Sequence, residues 1–137
     1  MGKYRALREN NKYYLPKQTY LMCIHYALQY RDWKASLDAE RDMRGAIRYD
    51  KDKVQTTNDY DSTSETAMRM IEYDDKCKMI DKVIDVACDY STLNSWIRLG
   101  VCYGFTFSQL KAEGMPCERD LYYKIRRRFY YELSKKI

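Results

Sequence analysis

Proline and glycine are scarce: 2 and 5 in 137 residues. So few chain breakers argue against a turn-rich β architecture and for helices with few interruptions. Histidine is almost missing; His25 stands alone, and the five cysteines (Cys23, Cys77, Cys88, Cys102, Cys117) are far apart with no CxxC pair. That spacing excludes a Cys/His zinc cluster and a disulfide framework. Reduced thiols imply a cytoplasmic setting. No apolar run approaches the roughly 18–20 residues that cross a bilayer, so no membrane association is expected. The stretch Met1 to Asn11 is basic and polar with no apolar segment behind it, unlike a signal peptide. No glycine-rich phosphate loop occurs. The neighbours Asp74 and Asp75 would point to different faces of a helix, and His25 has no local signature of Cys/His chemistry. The sequence therefore predicts no catalytic residue, no metal site and no cofactor.

What is present is apolar content of 45% with 33% charged residues, enough for a folded core. Tyrosine is abundant, 15 against 3 phenylalanines, which suits rings that cover a small core or stack at an interface. The net charge of +5 is unevenly spread. Residues 1–60 carry 12 Lys and Arg against 8 Asp and Glu, net +4; residues 61–116 carry 6 against 9, net −3; residues 117–137 carry 7 against 3, net +4. A basic end on an acidic middle speaks of partners more than of fold.

The pattern predicts an all-α chain, a small helical bundle. Pro16 opens a helix running to about Leu37, with Tyr20, Leu21, Ile24, Ala27, Leu28 and Leu37 at three- and four-residue intervals. Residues 1–38 form this N-terminal helical segment. Residues 39–60 read as a charged loop or linker, whose early part could continue the helix. Residues 61–137 form a helical domain. There Ser62-Thr63-Ser64-Glu65 resembles a capping box before a long helix to about Cys88. Ala67, Ile71, Ile80, Val83, Ile84 and Ala87 should face inward, and Asp74, Asp75, Asp81 and Asp85 should be solvated. A helix over about 92–102 ends at Gly104. Thr106-Phe107-Ser108-Gln109 is a second capping box, opening a short helix through Lys111 that Gly114 and Pro116 stop. The last helix covers about 117–136.

Short helix, glycine turn and final helix have the layout of a C-terminal helix-turn-helix. Its fifth position, usually small, is Leu110. On the final helix Leu121, Ile125, Phe129 and Leu133 recur every four residues and should form the buried stripe. Arginines and tyrosines then spread over the outer faces, where guanidiniums pair with phosphates or guanine edges and phenols donate to phosphate. The residues expected to contact DNA are Arg119, Tyr122, Tyr123, Lys124, Arg126, Arg127 and Tyr130. A solvated terminal helix is the plainer alternative, with Arg128 paired to a carboxylate of the acidic middle.

Several of these stretches resemble one family. Asn11-Lys12-Tyr13-Tyr14-Leu15-Pro16-Lys17 with Tyr30-Arg31-Asp32-Trp33-Lys34, then Asp61-Ser62-Thr63 with Ala67, and Arg119-Asp120-Leu121-Tyr122-Tyr123 with Arg126-Arg127-Arg128-Phe129 are similar to segments of RinA/ArpU-like regulators of phage late genes. Those are small proteins of phages and prophages of Gram-positive bacteria. The resemblance implies a sigma-factor-like C-terminal half, double-stranded DNA as ligand through the last helix, and a cytoplasmic place in a bacterial host. It also implies a homodimer or action with host RNA polymerase. Two other readings remain open: a phage-encoded module that oligomerises or inhibits a host protein complex, and a DNA-packaging protein like small terminase subunits.

Overall fold

The computed structural model describes residues 10–49 and 59–137, with side chains described for 10–43 and 64–137. Every regular element among them is an α-helix: α1 (Lys17–Leu28), α2 (Tyr30–Tyr49), α3 (Asp59–Ala87), α4 (Asn94–Tyr103), α5 (Phe107–Ala112) and α6 (Arg119–Ser134).

The N-terminal segment is two helices rather than one. Pro16 sits at the N-cap of α1, and the chain bends at Gln29, whose N–H reaches back only three residues to the Tyr26 carbonyl at 3.1 Å. No proline or glycine marks this bend. Its cause is packing: α1 buries Cys23, Ile24 and Ala27 while α2 buries Tyr30 and Trp33, and α2 lies mainly along α3 while α1 lies on α6 and α4. One straight helix could not serve both directions. Beyond the bend, α2 runs on to Tyr49, so residues 39–49 are helix, in line with the expectation that the early part of 39–60 could continue one. The remainder, 50–58, lies outside the described residues.

Helix α3 starts at Asp59, upstream of the expected capping box, and Ser62 is therefore interior to the helix. Its buried positions are Cys77, Ile80, Val83, Ile84 and Ala87, a three-and-four spacing that makes one face. Ile71, expected inside, is 62% exposed, and Ala67 is half-buried. Asp81 is no bystander on the solvated face. One of its carboxylate oxygens accepts from the Tyr30 hydroxyl at 3.0 Å and from Arg98 Nε at 2.9 Å, tying α2, α3 and α4 together. The same contact, with burial as the larger cause, raises the pKa of the Tyr30 phenol.

The C-terminal boundaries follow the punctuation in the sequence. Gly104, at φ 76°, ends α4 in the left-handed region that glycine adopts without strain. The Thr106 box closes at both ends: Gln109 N–H donates to Thr106 Oγ1 at 3.2 Å, and Thr106 N–H to Gln109 Oε1 at 2.8 Å. Leu110 is fully buried, and the space a small fifth residue would leave is supplied by Gly100 of α4 instead. A Cβ on Gly100 would lie 3.5 Å from Leu110 Cδ1 and would overlap the Tyr122 hydroxyl. The α5–α6 connection spans 113–118, with Lys111 Nζ donating to the carbonyls of Met115 (3.1 Å) and Cys117 (3.0 Å). Residues on both sides of segment 39–60 share one core, from Cys23, Ile24 and Trp33 to Ile84, Ile97, Phe129 and Leu133.

Candidate nucleic-acid interface

Helix α6 packs on α1, α3 and α4, so much of its surface is core. Its inward face is Tyr122, Ile125, Phe129, Tyr130 and Leu133. Leu121, expected to begin the buried stripe, is instead 45% exposed. The reason is the helical period. A four-residue step advances about 400°, so three such steps from 121 to 133 drift by about 120° around the axis. A face that stays put must mix steps of three and four, and Tyr122 takes the inward place.

Two of the seven expected DNA contacts are thereby withdrawn. Tyr122 and Tyr130 are each 2% exposed, and burial raises both phenol pKa values. Tyr122 packs against Phe107 and points at Gly100; Tyr130 meets Tyr20 edge-on at 5.3 Å. Neither ring can reach a duplex. Arg126 is half withdrawn. Its guanidinium lies 5.9 Å from the Tyr123 ring centroid and 5.6 Å from that of Tyr130, and its buried Nε–H has no hydrogen-bond partner. Burial works against the charged form, and the phenol oxygens of Tyr130, Tyr20 and Tyr122 outweigh it. Arg128 pairs with a carboxylate of the acidic middle segment, donating from Nη1 to Asp89 Oδ1 at 2.9 Å.

Four expected residues keep access to solvent. Arg119 is exposed and stacks on the half-buried Tyr123 at 5.6 Å; Lys124 is exposed; Arg127 is half-buried, with an unpartnered Nε–H. At 100° per residue, Arg119, Tyr123, Arg126 and Arg127 fall within one quadrant or so of α6. None of the three arginines has a carboxylate partner among the described residues, in contrast to Arg98 and Arg128. The flank is thus a row of guanidiniums threaded by a phenol ring. Such an array can neutralise phosphates and offer a stacking plane.

The opposite flank of α6 was not legible in the sequence. Segment 11–16 lies against it: Tyr13 meets Tyr131 at 5.6 Å, with Lys12 Nζ over the Tyr13 ring at 4.9 Å. Between this segment, the α3–α4 turn and α6 lies a groove of about 400 Å³, with Leu93, Leu121 and Ile125 among its apolar lining and Lys12, Lys124 and Arg128 as cations. Its wall includes Asp89, which with the adjoining Tyr90 makes two successive non-glycine residues at positive φ, 52° and 59°.

Among the described residues no group of three or more His, Cys, Asp or Glu side chains is placed to hold a metal ion. His25 is exposed on α1, and all five cysteines are buried free thiols. Burial pushes Cys23 and Cys77 up to about 11 and raises Cys102 and Cys117, the reverse of an activated nucleophile. No described helix is long and apolar enough to cross a membrane. Compared with protein-family models, with curated proteins and with solved structures, the chain matches none.

Proposed function

We propose that this chain is a DNA-binding transcriptional regulator of the phage type, holding double-stranded DNA through the arginine flank of α6. The observation that carries the reading is that Arg119, Arg126 and Arg127, gathered on one flank of α6, make no ion pair among the described residues, whereas Arg98 and Arg128 are each paired. Three cations left without counter-ions on one helix favour a polyanion as partner. Arg119, Tyr123 and Arg127 are the contacts, with Lys124 on the solvent side; Arg126, held between two rings, sustains the positive potential of the flank and orients Tyr123. The array α4–α5–α6 supports a helix-turn-helix use of this region, with α5 crossing the backbone and the first turns of α6 nearest the bases. The resemblance to RinA/ArpU-like regulators supports the same role, as a homodimer or together with host RNA polymerase.

Selection of bound sequences from a random duplex pool tests the reading. A recurring motif is expected among the bound molecules. Recovery no better than for a buffer control would refute it.

A further inference from the structure

Helix α3 is about 43 Å long at 1.5 Å per residue, and only its second half belongs to the core. No described residue of α3 before Cys77, and none of α2 after Trp33, is buried. The two helices leave the bundle as a paired arm. The outer side of that arm is not uniformly polar. Met68 is 69% exposed and Ile71 62%, and Glu65, Glu72 and Asp75 share their face at three- and four-residue spacing. Glu65 and Asp75 make no ion pair; Glu72 has only its helical neighbour Lys76, at 3.0 Å. The arm therefore displays an acidic stripe with two aliphatic anchors.

At the other end of the same helix lies the complement. The groove beside Ala87 to Asp89 exposes Leu121 (45%) over an aliphatic lining and carries Lys12, Lys124 and Arg128, with Asp89 as its one carboxylate and that already bonded to Arg128. Its volume of about 400 Å³ falls in the range of sites that admit side chains or small ligands. Asp89 in its wall and the adjoining Tyr90 both lie in the left-handed region, a strain of the kind that persists where a surface is used. Met68 and Cys88 are 20 residues apart on one continuous structure, roughly 30 Å at the helical rise. A molecule cannot bring its own stripe to its own groove.

We propose that the groove receives the arm of a second copy of this chain. Met68 and Ile71 enter as an i, i+3 pair beside Leu121, while Glu65 and Asp75 meet Lys12 and Lys124. The contact is head-to-tail: one copy gives its arm and the next gives its groove, which builds rings or short open arrays. Apart from Lys124, which both readings use, it draws on the side of α6 away from Arg119 and Arg127, so Ile71→Asp tests it without touching the DNA reading.

The test is mass in solution of the full chain by sedimentation equilibrium, with helical circular dichroism as the check on folding. The wild-type protein self-associates, whereas Ile71→Asp (arm) and Lys124→Glu (groove) each run at the 16.6 kDa of one chain. Mixing them restores one intact contact, the arm of Lys124→Glu in the groove of Ile71→Asp, and the mixture forms a species of twice that mass. Asp75→Lys serves as a second arm variant, and its mixture with Lys124→Glu should associate in the same way, because the intact arm of Lys124→Glu meets the intact groove of Asp75→Lys. A monomeric wild type, variants that still associate, or a mixture that stays monomeric would overturn the proposal. Lys124→Glu that still associates while Ile71→Asp stays monomeric would overturn the groove and assign the interface to arm against arm.

Discussion

Replacing Gly100 by alanine should destabilise this protein, although alanine is the better helix former. Gly100 lies inside α4, where the swap alone would gain about 1 kcal/mol. A Cβ there overlaps the Tyr122 hydroxyl and comes within 3.5 Å of Leu110 Cδ1, both side chains being fully or almost fully buried. Overpacking of a tight core costs about 1–3 kcal/mol. The net loss is then up to about 2 kcal/mol, or a fall of up to roughly 8 °C in Tm at about 4 °C per kcal/mol for a domain of this size. Tyr122→Phe removes the overlapping oxygen. In that background Gly100→Ala should become neutral or stabilising, a coupling of about 1–2 kcal/mol in a double-mutant cycle. Urea melts of the four proteins measure it. Additive effects within about 0.3 kcal/mol would show that the Tyr122 phenol does not point into α4, and would reopen its assignment as a core residue.

Three further outcomes follow from the same packing. The Tyr30 phenol, buried and bonded to Asp81, has its pKa raised above the ordinary value of 10.0. A folded pKa above the unfolded one contributes stability that is present below pH 10 and lost as pH rises through the folded value. Helical signal and tyrosinate absorbance should therefore change together above pH 10, and Tyr30→Phe should shift that transition upward; separate transitions would contradict the assignment. At neutral pH the five buried thiols should react with a chromogenic disulfide at least tenfold more slowly than in denaturant, because the fold shields each of them from the reagent. Thr106→Ala should cost about 1 kcal/mol in a urea melt by opening the box at the start of α5; no change would mean that the box is not holding that turn.

The sequence carried the helical class and the C-terminal punctuation because Gly104, Thr106, Gln109 and Gly114 act locally, through φ and through hydrogen bonds three residues long. It did not carry the bend at Gln29, which has no breaker and arises from two apolar faces that must meet different neighbours. Ser62 and Glu65 had the chemistry of a cap but lost to three upstream residues able to prolong the helix. Within the site, Arg119, Tyr123, Lys124 and Arg127 were legible as polar residues off the stripe. Tyr122 and Tyr130 were not, because leucine outranks tyrosine in any apolar pattern while geometry gives position 122 the inward place. The groove beside Lys124 depends on Lys12 and Tyr13, more than a hundred residues away, and no local signal announces it.

Helix α6 buries Tyr122 and Tyr130 and leaves the flank of guanidiniums that we propose for phosphate. The salt dependence of duplex binding, read by fluorescence anisotropy, tests it most directly. Each phosphate contact contributes about −0.9 to the slope of log K against log salt. Arg119→Ala with Arg127→Ala should flatten the slope by about 2, while Tyr122→Phe leaves it unchanged. A slope that the double variant does not alter, or no salt-sensitive binding at all, would contradict the account.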